Sequence, residues 1–415
     1  MEIILFEDEA SGNFHPLNAL KPIYELTCGF KTLREKFETH LGEAFDIHFH
    51  TRQYLVGLYQ KQNPEKKVNK SGSDDVIYIN GRVICNASFA KHFIEDGIEL
   101  EVAYMNGAQL VAFRCNPKCL ELVKNSLEHE NHWIGLNTLP SHFKTQQIDC
   151  EMLTFIWDLI RLHPSEFRQD TKSLSNLGEQ KGLIHERAIL VNPENILVEE
   201  GAQISAGAVL DASEGAIVID KEAKVLPNAV LMNNVYVGKN ATIKIGAKIY
   251  SNVSAGKLAK LGGEVEDSIF ESFSNKQHEG FIGHSYISSW CNLGADTNSS
   301  DLKNNYGSVR IKLHGQEFDT KMQFLGLFMG EHSKSGINTM FNTGTVVGVS
   351  SNVFGAGFPP KYIDSFEWGG AGGFQVYQLD KAMEVVKTVM KRRGIDMTEE
   401  YQNVFKEVYK QQFSL

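Results

Sequence analysis

Residues 219–254 read IDKEAKVLPNAVLMNNVYVGKNATIKIGAKIYSNVS and divide into six consecutive sixes. Each six begins with a large aliphatic residue (Ile219, Val225, Leu231, Val237, Ile243, Ile249) and carries Ala or Val in its fifth place. Period six is neither the 3.6 of a helix nor the strict alternation of a half-buried strand. A three-sided parallel coil accounts for it. Each side is one short strand, its aliphatic residue points into the prism, and the small fifth residue sits near a corner where volume is scarce. Intervening Gly201, Gly207, Asn228, Gly238 and Gly246 suit tight corners.

The register extends in both directions. Upstream, sixes start at Val198, Ile204 and Leu210, with a three-residue slip before Ile219. Downstream, Phe281, Ile287 and Leu293 open sixes with Ser285, Cys291 and Thr297 in fifth place. Met329, Ser335, Phe341, Val347 and Val353 open five more. Between these blocks, SSDLKNNYGSVRIKLHGQEFDTK (299–321) breaks the spacing, which predicts a loop extruded from the prism with one irregular strand. Loops held by a rigid scaffold are where binding groups concentrate. Segments 379–393 and 398–411 have helical apolar spacing, separated by Gly394, and are expected to cap one end of the coil and to pack subunits.

Ahead of the coil, short apolar runs alternate with helical patterns. EIILF (2–6), AFDIHFHT (44–51), DVIYING (75–81) and AQLVAFR (108–114) read as strands. Segments 32–41, 51–61 and 88–95 read as helices. That alternation predicts a three-layer α/β unit. CEMLTFIWDLIRLHPSEFRQD (150–170) is expected to be a linking helix that stops at His163-Pro164. The expected division is an α/β unit at 1–148, a linker at 149–180, a left-handed parallel β-helix at 181–370 and a helical cap at 371–415. The α/β unit has neither GxxxxGK[ST] nor GxGxxG after its first strand. The acidic stretch FEDEA there is either a Mg²⁺ site or a solvated turn.

Composition narrows the classes. With 51 acidic and 41 basic residues the chain has a net charge of −10, which argues against nucleic-acid binding. A local basic pocket for a phosphorylated ligand remains compatible. The six cysteines (28, 85, 115, 119, 150, 291) read as separate thiols, Cys115-x-x-x-Cys119 being too little for zinc. MEIILFEDEA lacks a basic leader, and no window approaches a membrane span, so a reducing, cytoplasmic setting is the expectation.

One stretch is more specific. NKQHEGFIGHSYISSWCNLGADTNSSDLKNNYG (275–307) resembles the segment of bifunctional sugar nucleotidyltransferase/acyltransferases in which a histidine precedes a glycine-rich coil, an Asn-x-Gly-Ala run and an Asn-Tyr loop. That family makes UDP-N-acetylglucosamine, and the nearest likeness is its divergent Bacteroidetes form. The resemblance implies His278 as general base for transfer from acetyl-CoA to glucosamine-1-phosphate. It further implies that Asn292, Ala295, Lys303, Asn305 and Tyr306 bind cofactor or substrate, with coenzyme A held between prisms of a homotrimer. HPLNALKPIYEL (15–26) resembles the nucleotidyltransferase segment that places Lys21 on substrate phosphate, and Arg82, which follows Asn80-Gly81 where the family has its Gly–Asp metal site, is expected to bind substrate with Lys21. If the first half is active, a nucleoside triphosphate, a sugar phosphate and Mg²⁺ are implied, with the metal ligands unassigned. The family's glycine-rich nucleotide loop is replaced here by Glu7-Asp8-Glu9-Ala10-Ser11-Gly12.

The chemistry agrees. Thioester-to-amine transfer needs a base near neutral pKa, and histidine is the natural one. His278 precedes regular structure among polar neighbours. His284 and His332 each hold the fourth place of a six and either flank a groove or pack; Trp290 and Trp368 read as packing residues. Two other readings stand beside this one. The first is uridylyl or thymidylyl transfer to another hexose-1-phosphate, and the second is a non-catalytic scaffold.

Overall fold

The computed structural model describes residues 1–121, 123, 133–139 and 141–413. From Leu183 onward the chain winds into three sheets of eight, nine and eleven strands, parallel except at the end of the largest, where Gly373–Val376 runs against Glu367–Gly370. Each strand pairs with its counterpart one turn away, as in Val225↔Ile243, Leu231↔Ile249 and Val237↔Ala255. This is the expected left-handed, hexapeptide-type β-helix, preceded by an α/β unit and followed by two helices. The opening residues of the nine regular sixes from Val198 to Ile249 are all buried in one core, together with Ala202, Ala208, Ala223, Ala229, Ala241 and Ala247. Corners are turned by left-handed residues, many of them asparagine: Asn228, Asn240 and Asn252 have φ near +60°. Asparagine tolerates that conformation better than other side chains bearing a Cβ. Amide bonds then link one corner to the next, as Asn240 N–H donates to Lys221 O and Leu258 N–H to Lys239 O, both at 3.0 Å.

The prism continues where the six-residue spacing lapses. Leu261, Val265 and Phe270 continue the inner column between the two regular blocks. At the next turn Ile282, not Phe281, points inward, paired with Val265 below and Ser299 above. The coil has shed one residue at the corner that His284 turns with φ +45°. The insertion at 299–321 is a β-hairpin, Arg310–Leu313 against Gln316–Asp319, rather than a loop with one strand. Its Val309, Ile311 and Leu313 are buried, which gives the hairpin a reason to fold.

The α/β unit has a six-stranded sheet in the order Asp46–Phe49, Glu2–Phe6, Val76–Asn80, Gln109–Cys115, Val102–Asn106, Lys144–Gln147. The first three strands are parallel, and Gln109–Cys115 runs against both its neighbours. Alternation sends Ile4, Phe6 and Tyr78 into one core and Ile3, Leu5, Ile77 and Ile79 into another. The second core contains Ile269, Tyr286, Phe328 and Val346 of the coil. These four stack in register on the outer surface of the nine-stranded face. The α/β unit therefore lies along one side of the prism.

The linking helix runs from Asp158 to Lys172, through Pro164 rather than stopping before it. Burial overrides the proline. Lys36 Nζ lies 2.5 Å from Asp170 and 2.9 Å from Glu166, all three buried, and Asp170 also accepts the amides of Phe30 and Lys31. The C-terminal helices, Leu379–Lys391 and Glu399–Phe413, lie along the side of the coil instead of over its tip. An aromatic corner column draws them there. Phe273, Trp290 and His332 stack in sequence, and Phe366 meets Phe405 and Tyr409 edge-on. Cys115 is joined to Cys119 rather than left as a thiol, the strand end bringing their Cα atoms to 5.2 Å. No helix among the described residues is long and apolar enough to cross a membrane.

His163 ties linker to coil. Its Nδ1 accepts the Gly29 amide at 3.2 Å, so the proton sits on Nε2, which donates to Asn252 O at 2.8 Å. Complete burial lowers its pKa to about 3, so the fold holds the neutral ring. A depressed histidine contributes stability that is full above the unfolded value and is lost as pH falls toward the folded one. In denaturant melts, wild type should lose several kcal/mol relative to His163→Gln between about pH 6.5 and pH 4. Equal pH slopes for the two proteins would contradict this.

Candidate functional site

One edge of the prism, between the eleven- and eight-stranded faces, gathers part of the predicted site. His278 lies at the corner between strands Asn275–Lys276 and Phe281–Gly283. It is exposed, and its ring makes no hydrogen bond or ion pair among the described residues. One turn on, Asn292 pairs with Asn275, and the corner that follows carries Ala295. Asn292 is exposed and Ala295 half-buried, its carbonyl accepting the Asn338 amide at 2.8 Å. The structure thus brings His278, Asn292 and Ala295 together on neighbouring turns.

Lys276 supports this edge from within. It occupies an inward position, between Leu261 one turn before and Leu293 one turn after, and is 1% exposed. Its amine donates to Gly262 O at 3.1 Å and to His278 O at 2.8 Å. Burial lowers its pKa to about 8, against the weaker pull of Glu279 and Asp296. A lysine inside the aliphatic column escapes a pattern search for apolar residues. The signal was its place, directly in line with Leu261.

Lys303, Asn305 and Tyr306 are elsewhere. They sit in the loop that leaves the opposite edge of the eight-stranded face after Ser299. Lys303 Nζ donates to Ser308 O at 3.1 Å, and Asn305 Oδ1 accepts the Gly307 amide at 3.1 Å. Tyr306 is 68% exposed. Within one chain, then, the loop triad and the His278 edge are not joined. His332 is buried under the last helix, Nε2 at 2.7 Å from the Tyr401 hydroxyl, and its role is packing.

The two positions proposed in the α/β unit are enclosed. Arg82 is buried, with Nε and Nη2 on both oxygens of Asp8 at 2.8 and 2.6 Å and Nη1 on Gln109. A substrate group would have to displace Asp8. Glu7, fully buried, accepts from Thr51 Oγ1 at 2.7 Å, from the Ile23 amide and from Arg52. The acidic stretch is therefore neither a solvated turn nor a free carboxylate pair for Mg²⁺, because buried acids at a sheet end require compensating cations.

Lys21 faces the coil. Its amine pairs with Glu271, and with Glu331 at 3.2 Å, beside a cavity of about 530 Å³ also lined by Arg34, Ser289, Trp290 and Tyr401. Burial alone would depress the amine, but Glu271 and then Glu331 hold it above the usual lysine range. Burial raises Glu331. Both glutamates stand at corner places, Glu271 level with Gly256 and Ser288 and Glu331 level with Ser289 and Val349 on the neighbouring turns.

The chain thus joins an α/β unit to a hexapeptide-type coil. Residues 3–177 match the family model described as sugar nucleotidyl transferase. A bifunctional sugar-1-phosphate nucleotidylyltransferase/acetyltransferase of Sulfurisphaera tokodaii is 28% identical over 160 residues, 38% of this chain and 35% of that protein. The bifunctional protein GlmU of Methanococcus aeolicus is 26% identical over 199 residues, 47% of this chain and 41% of its own. The matches thus span well under two thirds of these relatives. The crystal structure of UDP-N-acetylglucosamine O-acyltransferase (LpxA) from Moraxella catarrhalis covers 55% of this chain and 96% of its own, at 13% identity and TM-score 0.26. The sequence matches establish a relationship to the bifunctional nucleotidyltransferase/acetyltransferase superfamily.

Removing Lys21 should leave two buried carboxylates facing each other. Lys21→Met is expected to lower unfolding free energy by about 3–5 kcal/mol. Adding Glu331→Gln to that variant should recover part of the loss, read by urea titration. Indifference to Lys21→Met would mean the pair is solvent-screened.

Proposed function

We propose that the chain transfers an acetyl group from acetyl-CoA to the amine of an amino-sugar 1-phosphate, as the second activity of a UDP-N-acetylglucosamine-type enzyme of the divergent Bacteroidetes form. The observation that supports it best is the open edge carrying His278 with Asn292 and Ala295 on the next turn. His278 takes a proton from the substrate ammonium. The freed amine attacks the thioester carbonyl, the new C–N bond forms as the C–S bond breaks, and coenzyme A leaves as the thiol. Lys276 holds the His278 backbone carbonyl, orienting the corner without touching substrate.

A single prism offers an edge rather than a pocket, and a second copy supplies the other wall. The eight-stranded face presents Ile189, Tyr250 and Met340 to solvent, and Ile245 and Ile337 flank His278 on the same edge, each more than 60% exposed. In the reading we adopt, a homotrimer covers this apolar surface and brings a neighbour's Lys303, Asn305 and Tyr306 toward His278, with coenzyme A between the chains.

For the α/β unit the reading is nucleotidyl transfer, from a nucleoside triphosphate to a sugar 1-phosphate with release of diphosphate. The residues at the end of the first strand do not fit Mg²⁺ as they stand, since Arg52 and Arg82 occupy Glu7 and Asp8. A second reading therefore has support: the unit acts as a non-catalytic bracket, favoured by Lys21, Arg52 and Arg82 all being neutralised within the fold.

Thiol release from acetyl-CoA with glucosamine-1-phosphate tests the first activity. His278→Ala should lower kcat by about 10²–10⁴-fold, and an unchanged rate would end the mechanism. Diphosphate release from UTP or dTTP with a panel of hexose 1-phosphates tests the second. Silence across the panel would select the bracket.

A further inference from the structure

At the other edge of the eight-stranded face, three metal-ligating side chains from successive turns converge. We propose that Glu266, His284 and Asp301 form a binding site for one divalent transition-metal ion. Each offers one ligand atom, and the three atoms lie within 4.8 Å of one another. Asp301 is 7% exposed, and His284 and Glu266 are half-buried, so the cluster is not a solvated acidic surface. The inference is independent of the acyl-transfer reading.

The donor set selects the ion. One imidazole nitrogen with two carboxylate oxygens suits Mn²⁺, Fe²⁺, Co²⁺ or Zn²⁺ better than Mg²⁺ or Ca²⁺, which prefer oxygen alone. His284 Nδ1 lies 2.8 Å from Asp301 Oδ2. Ligand bonds of about 2.0–2.2 Å at tetrahedral angles separate two donors by roughly 3.4 Å. Exchanging the shared proton for a metal therefore needs only a small parting of these two groups.

The surroundings are built to orient the ring. Asp267 Oδ2 faces the opposite nitrogen, Nε2, at 3.8 Å. The other oxygen of Asp267 accepts from Asn252 Nδ2 at 2.8 Å, and Asn252 Oδ1 accepts from Asn234 Nδ2 at 2.9 Å. This is a carboxylate on the far side of a ligating histidine, itself anchored by a corner ladder of asparagines. Phe324 stacks on the imidazole at 5.1 Å and shields one face. Gly283 leaves room for Asp301, since a Cβ there would meet its Oδ2 at 2.3 Å. Three carboxylates (Glu266, Asp267, Asp301) surround one imidazole.

The site also has a place in the fold. Asp301 begins the insertion, and Phe324 ends it; the Leu325 amide returns to Asp301 O at 2.8 Å and the Gly326 amide to His284 O at 2.9 Å. A bound ion would fasten the base of the insertion that carries Lys303, Asn305 and Tyr306.

The test uses the full chain after treatment with a chelator, titrated with Co²⁺ by visible absorption and with Zn²⁺ and Mn²⁺ by calorimetry. The expected result is one ion per chain, lost in His284→Ala and weakened about 10–100-fold in Asp267→Asn, which changes no ligand. Glu266→Gln should weaken binding while leaving the metal-free thermal transition unchanged. It decides the matter should His284→Ala fail to fold, since wild-type affinity in Glu266→Gln would overturn the site. Absence of Co²⁺ bands and of Zn²⁺ and Mn²⁺ heats up to millimolar ion, or undiminished binding in folded His284→Ala, would also overturn it, leaving a histidine–aspartate ion pair.

Discussion

A triangular coil has room inside for one large side chain per strand, and that volume limit governs this chain from Leu183 to Ile363. Where it is obeyed strictly, the sequence is monotonous: Val225, Leu231, Val237, Ile243 and Ile249 fill successive sides, with alanines at the corners. Where the chain departs from it, something else is being held. Lys276 takes an inward place and spends its polarity on two carbonyls of its own edge. Ser299 and Ser335 replace aliphatics beside the insertion, and Ser335 shares a hydrogen bond with Thr297. Local departures from an apolar interior are costly unless each polar group is matched, and here the matches lie within the same turn or on the next one.

The second dependence is the side-on union of the two units. Ile269, Tyr286, Phe328 and Val346 belong to the coil by pairing and to the α/β core by packing. Polar links flank that apolar seam: Tyr286 Oη accepts the Thr27 amide and donates to Glu271, and Ser254 Oγ donates to Gly29 O. Lys21 joins the same system through Glu271. Phosphate recognition by Lys21 thus competes directly with the cohesion of the two units. That competition gives the bracket reading its physical content.

The coil was legible because its period is strict and its inward residues are of one type. The α/β strands were legible for the same reason, Glu2–Phe6 and Val76–Asn80 being short β-branched and aromatic runs. Around residue 281 the register is ambiguous in the sequence because Phe281 and Ile282 are both large and apolar; the ladder to Val265 selects Ile282. The hairpin at 310–319 was hidden by its polar outer residues, since only Ile311 and Leu313 of the first strand face inward. Pro164 favours a helix stop locally, whereas the Lys36–Asp170 pair that carries the helix past it lies at long sequence separation and no local signal announces it. The same holds at the candidate sites. His278 was found through a motif, but Asp301 beside His284, and Glu331 beside Lys21, are partners that only the winding of the chain assembles.

The docking of the α/β unit along a flank has a geometric outcome for any closed ring of these chains. One of three prism faces is already spoken for, so neighbours can meet only through the remaining two and the edge between them, where His278 lies. In a ring closed through the His278 edge, the globular units would lie on the side of each prism away from the axis. Lengthening the coil by whole turns would add height to such a ring without changing its width.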